Sequence, residues 1–237
     1  MSLKDLFEFE NWNFNTQHII ENLSAADFKF LIGDRPKIDF KKGEDLFVSG
    51  TAPTGFYFIH KGRVKKRIRF FDEEISVYIA GQGELVGYHG VLSGAKHSDT
   101  GTAIDDCVVS FIPSADLKYL LANSVGLYDR FLTVMAHEFT VMLHLMALNA
   151  KGSPEQKITT ALIIFREKSK RPGFDVTTMP FSASRIELAL FANTGEATTS
   201  RVMTALKKEN IIEGNSNNRL VRNLKRLTEL TAGSLLS

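Results

Sequence analysis

The segment that most restricts how this chain can fold is residues 181–212. Ser184 is followed three residues later by Glu187, a spacing that predicts a capping box and therefore a helix start. Residues 193–195, Asn-Thr-Gly, predict a tight turn, and a second helix is expected over residues 196–209. Two short helices around a glycine-containing turn form a helix-turn-helix arrangement, whose second helix can enter a DNA major groove.

The polar residues of this segment suggest how it would contact DNA. Short hydroxyl side chains and backbone N–H groups at a helix N-terminus suit phosphate oxygens. Arg201 is the expected base reader, because its planar fork matches the two acceptors of guanine. The residues expected to face inward are Ile186, Leu188, Ala189, Ala192, Val202, Ala205 and Leu206. The predicted DNA-contacting residues are Ser184, Glu196, Ala197, Thr198, Thr199, Ser200, Arg201, Thr204 and Arg219.

A small β-hairpin is predicted directly after the second helix. Residues 211–213 favour one strand, residues 214–218 a polar turn, and residues 220–221 the returning strand. Such a wing can grip the DNA backbone beside the recognition helix. Its candidate phosphate partners are Arg219, Arg222, Lys225 and Arg226.

Net charge also distinguishes the C-terminal part of the chain from the part before it. Residues 151–237 carry 14 Lys and Arg against 8 Asp and Glu, a net charge of +6, whereas residues 1–150 carry a net charge of −4. A basic C-terminal part is typical of a segment that meets a polyanion. The alternative is a helical hairpin whose charged face is only solvated.

The front of the chain has the pattern of an all-β domain. Residues 37–112 are rich in Gly, Phe, Val and Ile, and short β-favouring runs such as residues 56–59 and 64–68 recur at even spacing. This spacing predicts an antiparallel sandwich or barrel.

Residues 114–150 are predicted to form one long helix. They lack proline, contain one glycine, and repeat apolar residues every seven positions at Val134, Val141 and Leu148. Leu127, Phe131 and Leu145 flank this stripe, and Glu138 interrupts it. The stripe either faces a second copy of the chain or packs on the β domain.

A domain boundary is expected where this helix ends. Gly152 suits the position after a helix, and Ser153, Pro154 and Gln156 together predict the capped start of the next one. The predicted domains are therefore residues 1–113, 114–150 and 151–237.

Several classes of protein are excluded by the composition. No run of 18 apolar residues exists, so neither a membrane span nor a secretory signal is predicted, and the expected location is the cytoplasm. Cys107 is the single cysteine, which excludes an internal disulfide and a cluster held by several thiolates. No catalytic motif is found, so neither an enzyme nor a metal site is predicted.

Two signatures together resemble the Crp/Fnr family of bacterial transcription regulators. Residues 40–50 with 55–66 resemble the entry strands of a cyclic-nucleotide-binding β-roll, and residues 197–201 resemble the family's recognition helix. The resemblance implies an α+β fold with an N-terminal antiparallel β-roll, a long central dimerisation helix and a C-terminal winged helix-turn-helix. It also implies a homodimer on a pseudo-palindromic DNA site, with RNA polymerase as a further candidate partner.

The same resemblance implies an effector pocket and also predicts that it departs from a cyclic AMP site. Tyr88 aligns with a ribose-binding glutamate, and His97 and Ser98 align with an Arg-Ser pair that holds the cyclic phosphate. Met142 and Leu143 align with a Thr-Ser pair on the base. The candidate pocket residues are Gly87, Tyr88, His97, Ser98, Met142 and Leu143.

A histidine is largely uncharged at pH 7 and replaces an arginine poorly as a phosphate partner. Cyclic AMP is therefore not expected and no cofactor is predicted. The pocket is either filled by side chains or takes a more apolar ligand.

Three hypotheses for function follow. The first is a homodimeric DNA-binding regulator whose β-roll does not respond to cyclic AMP. The second is a ligand-binding or protein-interaction module whose helix-turn-helix no longer binds DNA. The third is a constitutive regulator without a small ligand.

Overall fold

A computed structural model describes residues 9–21, 23–170 and 179–232 of the chain. Two compact units divide it: the described residues of 14–139 form one, and those of 1–13 and 140–237 form the other. Except for one long helix whose residues belong to both units, each unit has its own elements.

The first unit is built on eight strands in two antiparallel sheets, as the sequence predicted. The strands are β1 Lys37–Phe40, β2 Asp45–Phe47, β3 Gly55–Lys61, β4 Val64–Phe70, β5 Glu73–Ala80, β6 Leu85–Val86, β7 Thr100–Ala103 and β8 Cys107–Pro113. One sheet has the order β1-β8-β3-β6 and the other β2-β7-β4-β5.

Gly62, in the turn between β3 and β4, illustrates why glycines punctuate this region. Its φ is +89°, and a Cβ built there would lie 2.6 Å from Sγ of Cys107 and 2.7 Å from the carbonyl oxygen of Asp106. Only glycine fits this backbone conformation and this close approach of two chain segments.

Short helices and one long helix complete the first unit. They are α1 Gln17–Ile20, α2 Ala25–Phe28 continued by a π-helical turn Lys29–Gly33, α3 Tyr88–Ser93, α4 Ser114–Asn123 and the first part of α5 Val125–Lys151. The sequence predicted one continuous helix over residues 114–150, but the chain is extended at Ser124. The Ser124 hydroxyl accepts a hydrogen bond from the Leu127 N–H at 3.3 Å and begins a new helix there.

One face of α5 lies in the core of this unit. Leu127, Phe131 and Val134 pack with apolar side chains of the β-roll such as Phe56 and Ile112. Val134 is therefore unavailable to a second copy of the chain. For this residue the structure supports packing on the β domain.

A different face of α5 is exposed. Its apolar side chains with more than a third of their surface exposed are Val125, Tyr128, Leu132, Phe139, Met142, Leu143 and Met146. By length and composition alone, this 27-residue helix could cross a membrane, which the count of consecutive apolar residues did not predict. The packing of Leu127, Phe131 and Val134 on the β-roll is instead that of a core helix.

The second unit contains the remaining helices and a two-stranded hairpin. The elements are α6 Pro154–Glu167, α7 Arg185–Phe191, α8 Glu196–Lys208, β9 Ile212–Gly214, β10 Arg219–Val221 and α9 Leu224–Ala232. The capping box predicted at Ser153 is confirmed, since the Ser153 hydroxyl accepts from the Gln156 N–H at 3.2 Å and the Gln156 side chain accepts from the Ser153 N–H at 2.9 Å. α6 is buried along most of its length and packs against α7, α8 and α9.

Candidate nucleic-acid interface and effector pocket

α7 and α8 form the helix-turn-helix that the sequence predicted. The Ser184 hydroxyl accepts from the Glu187 N–H at 3.1 Å and the Glu187 carboxylate accepts from the Ser184 N–H at 3.0 Å, so the second predicted capping box is also confirmed. Asn193 takes a left-handed backbone conformation (φ +46°) in the turn, and α8 begins at Glu196. The turn therefore fixes where the recognition helix starts.

The buried face of α8 differs from the prediction. Thr199, Met203 and Leu206 are buried, at the i, i+4, i+7 spacing of one helix face. Leu206 is buried as predicted, but Val202 is only half-buried and Ala205 is exposed, so the prediction was wrong for these two residues. The buried stripe includes a threonine in place of an apolar residue.

Thr199 must accordingly be removed from the predicted outward face. Its side chain has no exposed surface, and its hydroxyl donates to the Gly195 carbonyl oxygen at 3.1 Å and lies 2.9 Å from Oγ1 of Thr194. A buried hydroxyl is tolerated when its hydrogen bonds are satisfied. On α7 the opposite error occurs, because Ile186 was expected inside and is 55% exposed.

The other α8 residues of the predicted contact set lie on the outer side of this helix. Glu196, Ala197, Arg201 and Thr204 are exposed, and Thr198 and Ser200 are half-buried. The Arg201 guanidinium donates to the Thr198 hydroxyl at 3.2 Å. The guanidinium therefore lies over the first turn of α8.

Arg185 supplies a second guanidinium at this surface and was not among the predicted contact residues. It is the first residue of α7 and donates to the Ser200 hydroxyl at 3.4 Å. The sequence signal for Arg185 was its position directly after the predicted capping residue Ser184, which places it in the first turn of α7. Arg185 and Arg201 thus each contact a hydroxyl of the recognition helix.

Arg219, predicted as a phosphate partner, is in the interior. Only 3% of it is exposed, its guanidinium donates to the Ala183 carbonyl oxygen at 2.8 Å, and burial lowers its pKa to about 10. Its backbone also pairs with Phe181 through two hydrogen bonds. Because the guanidinium lies inside, Arg219 joins the segment before α7 to the wing, and phosphate contact is not supported.

The wing itself forms as predicted, with β9 and β10 paired antiparallel. Gly214 has a φ of +83°, and a Cβ there would lie 1.8 Å from the Asn218 carbonyl oxygen, so the hairpin requires glycine at this point. Arg222 follows β10, is exposed, and lies 2.5 Å from the Glu213 carboxylate across the hairpin. Lys225 and Arg226 are also exposed, in α9.

In the β-roll, the predicted pocket residues Gly87, Tyr88 and His97 are buried. The His97 ring stacks on Phe47 with centroids 4.5 Å apart, and Phe47 also lies against Gly87. Burial lowers the pKa of His97, and the Lys66 charge adds to this effect against an opposing contribution from Asp99. This histidine is therefore a weak replacement for a permanently charged arginine.

The other predicted pocket residues are on the surface. Ser98 is exposed, and Met142 and Leu143 are 46% and 43% exposed and belong to the other unit. The structure of the β-roll unit thus brings together three of the six predicted residues.

The Tyr88 hydroxyl contacts a buried carboxylate, that of Glu138, which was not among the predicted pocket residues. The hydroxyl donates to Oε1 of Glu138 at 2.5 Å, and Oε2 of Glu138 lies 2.8 Å from Nε2 of His89. The Glu138 side chain is only 4% exposed. Burial by itself raises the pKa of Glu138, but the hydrogen bond and charge of His89, the hydrogen bond from Tyr88 and the charge of Lys66 outweigh burial and lower it.

Lys66 extends these contacts to strand β4. Its ammonium lies 3.1 Å from Nδ1 of His89 and 2.8 Å from the Asp99 carboxylate, and its side chain is 8% exposed. We call Asp99, Lys66, His89, Glu138 and Tyr88 the buried polar chain. A charged residue that interrupts an apolar helix stripe was the sequence signal for Glu138, whereas Lys66 gave none within its basic strand.

Comparison with known proteins follows the same division of the chain. Residues 37–124 match the family model of the cyclic nucleotide-binding domain, and residues 156–230 match that of the Crp-like helix-turn-helix domain. The chain is 25% identical over 224 residues to the transcriptional activator protein Anr of Pseudomonas protegens, which covers 91% of this chain and 87% of that protein.

Two further similarities extend over most of the chain. It is 25% identical over 202 residues to the cyclic AMP receptor protein of Thermus thermophilus, covering 82% of this chain and 87% of that protein. Among solved structures, FixK2 from Bradyrhizobium japonicum matches with a TM-score of 0.72 at 19% identity, covering 84% of this chain and 98% of that one. The last similarity concerns the fold alone.

Proposed function

Because the chain belongs to the Crp/Fnr family of transcription regulators, we propose that it acts as a homodimer on a pseudo-palindromic DNA site and does not require cyclic AMP. In this proposal residues 1–113 form the sensor, residues 114–150 the dimerisation helix and residues 151–237 the DNA-binding domain. The protein acts on DNA in the cytoplasm, and RNA polymerase is a further partner. The exposed outer face of α8, flanked by the wing, is the observation that carries the proposal.

Arg201 is the proposed base reader on this face. It is exposed, and the neighbouring Ala197 and Thr204 are short enough for the helix to approach base edges closely. Thr198 and Ser200 carry hydroxyls suited to phosphate oxygens, and Arg185 adds a guanidinium at the same edge. A guanidinium that reads guanine in two hydrogen bonds gives discrimination of about 1–3 kcal/mol against another base.

The exposed face of α5 supports the dimer. Val125, Leu132, Phe139 and Met146 recur every seven residues, and Tyr128 and Met142 lie three residues after two of them. These are the a and d spacings of a coiled coil. Burying such a stripe against a second copy of α5 removes a large apolar surface from water.

Contacts inside the β-roll support independence from cyclic AMP. Tyr88 is hydrogen-bonded to Glu138, His97 is stacked on Phe47, and the buried cation Lys66 is paired with Asp99. A cyclic phosphate in this region would meet the buried Glu138 carboxylate and would find no unpaired cation among these residues. The relative from Thermus thermophilus is named a cyclic AMP receptor protein, and in this proposal the present chain differs from it because it does not require cyclic AMP.

The test is selection of duplex DNA from a random pool by the full-length protein, with and without cyclic AMP. We expect an enriched palindrome in both arms and equal affinity for it. Enrichment only with the nucleotide would overturn the proposal for the pocket. Failure to enrich any sequence, with or without nucleotide, would favour a protein-interaction module that does not bind DNA.

The dimer requires a separate measurement. Leu132→Glu places a charge on the exposed stripe of α5, and we expect sedimentation to show a monomer with much weaker binding to the palindrome. Thr133→Glu is the matched control, because Thr133 is the next residue, is exposed and lies off the stripe. A dimeric Leu132→Glu variant with full affinity would contradict an α5 interface.

A further inference from the structure

The buried polar chain connects elements that are far apart in sequence. Lys66 lies on β4, Asp99 directly before β7, Tyr88 and His89 on α3, and Glu138 on α5. His89 is its central member, because it alone contacts both Lys66 and Glu138. Any change in the His89 ring therefore acts on the β-roll and on the long helix together.

The geometry defines the protonation state of His89 in this arrangement. An ammonium group has only hydrogen-bond donors, so Nδ1 of His89, 3.1 Å from Nζ of Lys66, must act as the acceptor. Nε2 then carries the proton and donates to Glu138 at 2.8 Å. The ring is a neutral imidazole that uses both nitrogens.

A second proton on His89 is incompatible with one of these two contacts. It would place an N–H on Nδ1 pointing at the Lys66 ammonium and bring two positive charges within hydrogen-bond distance. The contact with Glu138 would be strengthened, because it becomes charge-assisted. Protonation therefore separates Lys66 from His89 while α3 and α5 remain joined.

Solvent can reach the His89 ring, and the two tyrosines and the other histidine near it are neutral. The His89 side chain is 35% exposed, whereas that of Glu138 is 4% exposed. The titratable and charged groups around the ring and its two partners are Lys66, Tyr78, Glu84, Tyr88, His97, Asp99 and Glu138. Burial raises the pKa of Tyr78 and Tyr88, so both are neutral, and the lowered pKa of His97 keeps it neutral to lower pH than an ordinary histidine.

We propose that His89 is a proton-binding site through which pH alters the coupling between the β-roll and α5 and thereby DNA binding. The effect of pH on DNA binding rests on the proposed function above. The chain has six histidines, all at or before residue 144, so residues 151–237 contribute none. A pH response in the range of histidine titration must then come from outside the DNA-binding domain.

The experiment measures affinity for the selected palindrome by fluorescence anisotropy between about pH 5 and 8, the range in which histidines ordinarily titrate. We expect the affinity of the wild type to change about fivefold or more, the lower end of ordinary coupling between two sites. His89→Gln keeps one donor and one acceptor but cannot titrate. After correction for any effect of pH on the DNA alone, the affinity of this variant should change less than about twofold over the same pH range. His137→Gln is the matched control on α5 that should keep the response.

A second variant guards against a folding defect in the first. Lys66→Met combined with Asp99→Asn removes the ammonium and its counter-charge together but leaves His89 in place. We expect this variant to lose the pH response as well, because protonation of His89 no longer breaks a contact. A wild type without a pH response, or a response that survives in His89→Gln, would overturn the proposal.

A readout without DNA separates this proposal from the previous one. Ring-nitrogen chemical shifts of labelled histidine, assigned by comparison with His89→Gln, report which nitrogen carries the proton. We expect His89 to carry it on Nε2 at high pH and on both nitrogens at low pH, with a matching shift change in α5. A protein that shows this change but binds no DNA would refute the DNA-binding function alone, whereas an unchanged α5 would refute the switch.

Discussion

The helix-turn-helix and the β-roll present their polar residues in opposite ways. On α8 the side chains proposed to act on a partner are exposed or half-buried, and the Arg201 guanidinium contacts another residue of the same face, Thr198. In the β-roll the polar residues are buried and satisfy one another, as Tyr88, Glu138 and Lys66 do. The first arrangement leaves hydrogen-bonding capacity for a ligand, whereas the second uses that capacity to hold the protein together.

The comparison predicts that the same kind of substitution changes different properties in the two regions. Removing a side chain from the buried polar chain should reduce stability, because its partners are left without hydrogen bonds in a nonpolar environment. Removing a side chain from the exposed face of α8 should leave stability unchanged and reduce affinity for DNA.

The largest effect is expected for Glu138→Ala. It leaves the Tyr88 hydroxyl and the His89 N–H without their acceptor and should reduce the free energy of unfolding by about 3 kcal/mol, as loss of one partner of a buried pair does. Urea denaturation of the full chain measures this loss. The control is Asp129→Ala, an exposed carboxylate on the same helix, and equal losses in both variants would contradict the role of burial.

The pH dependence of this stabilisation has a defined sign. The pKa of Glu138 is lowered in the folded protein, so its contribution is present above the ordinary pKa of glutamate, about 4.3, and is lost as the pH falls through the lower folded value. Stability of the wild type should therefore decrease in acid more steeply than that of Glu138→Gln.

Arg201→Ala is the next largest prediction and tests the other side of the comparison. Affinity for the selected palindrome should decrease by about 1–3 kcal/mol, and preference at one base position should relax, because the base-reading fork is lost. The midpoint of urea denaturation should not move. Lys208→Ala is a suitable control, since Lys208 is an exposed cation at the far end of the same helix.

Thr199 and Thr198 are neighbours that the comparison separates. Thr199→Ala removes a buried hydroxyl that bonds Gly195 and Thr194, and it should cost about 1 kcal/mol of stability. Thr198→Ala should leave stability unchanged and weaken DNA binding, since Thr198 is partly exposed beside Arg201. If both variants lost only affinity, the inward position of Thr199 would be contradicted.

The sequence predicted those features that depend on local signals. Both capping boxes, the turn before α8 and the wing follow from short-range rules, and the structure has all of them. The antiparallel β-roll followed from the spacing of β-favouring runs and turn glycines. The family resemblance supplied the order of the domains.

The errors arose where tertiary contacts decide the environment of a side chain. Thr199 and Arg219 are polar and were expected outside, but the Gly195 and Ala183 carbonyl oxygens accept their hydrogen bonds in the interior. Lys66 and Glu138 are 72 positions apart in the sequence and meet only through His89. No local pattern encodes such a contact, so the buried polar chain could not be predicted.

The smallest expected effect concerns Ser184, which belongs to both sides of the comparison. It was predicted to contact DNA, and its hydroxyl caps α7 by accepting from the Glu187 N–H. Ser184→Ala should therefore cost about 1 kcal/mol of stability, and Ser184→Gly only a few tenths.

Ser184→Asp separates the two roles, because aspartate caps a helix as well as serine does but places a negative charge where a phosphate would lie. If Ser184 also meets the DNA backbone, Ser184→Asp keeps the stability of the wild type and binds the palindrome more weakly, with a loss that shrinks as salt is raised. Unchanged affinity would assign Ser184 to the cap alone.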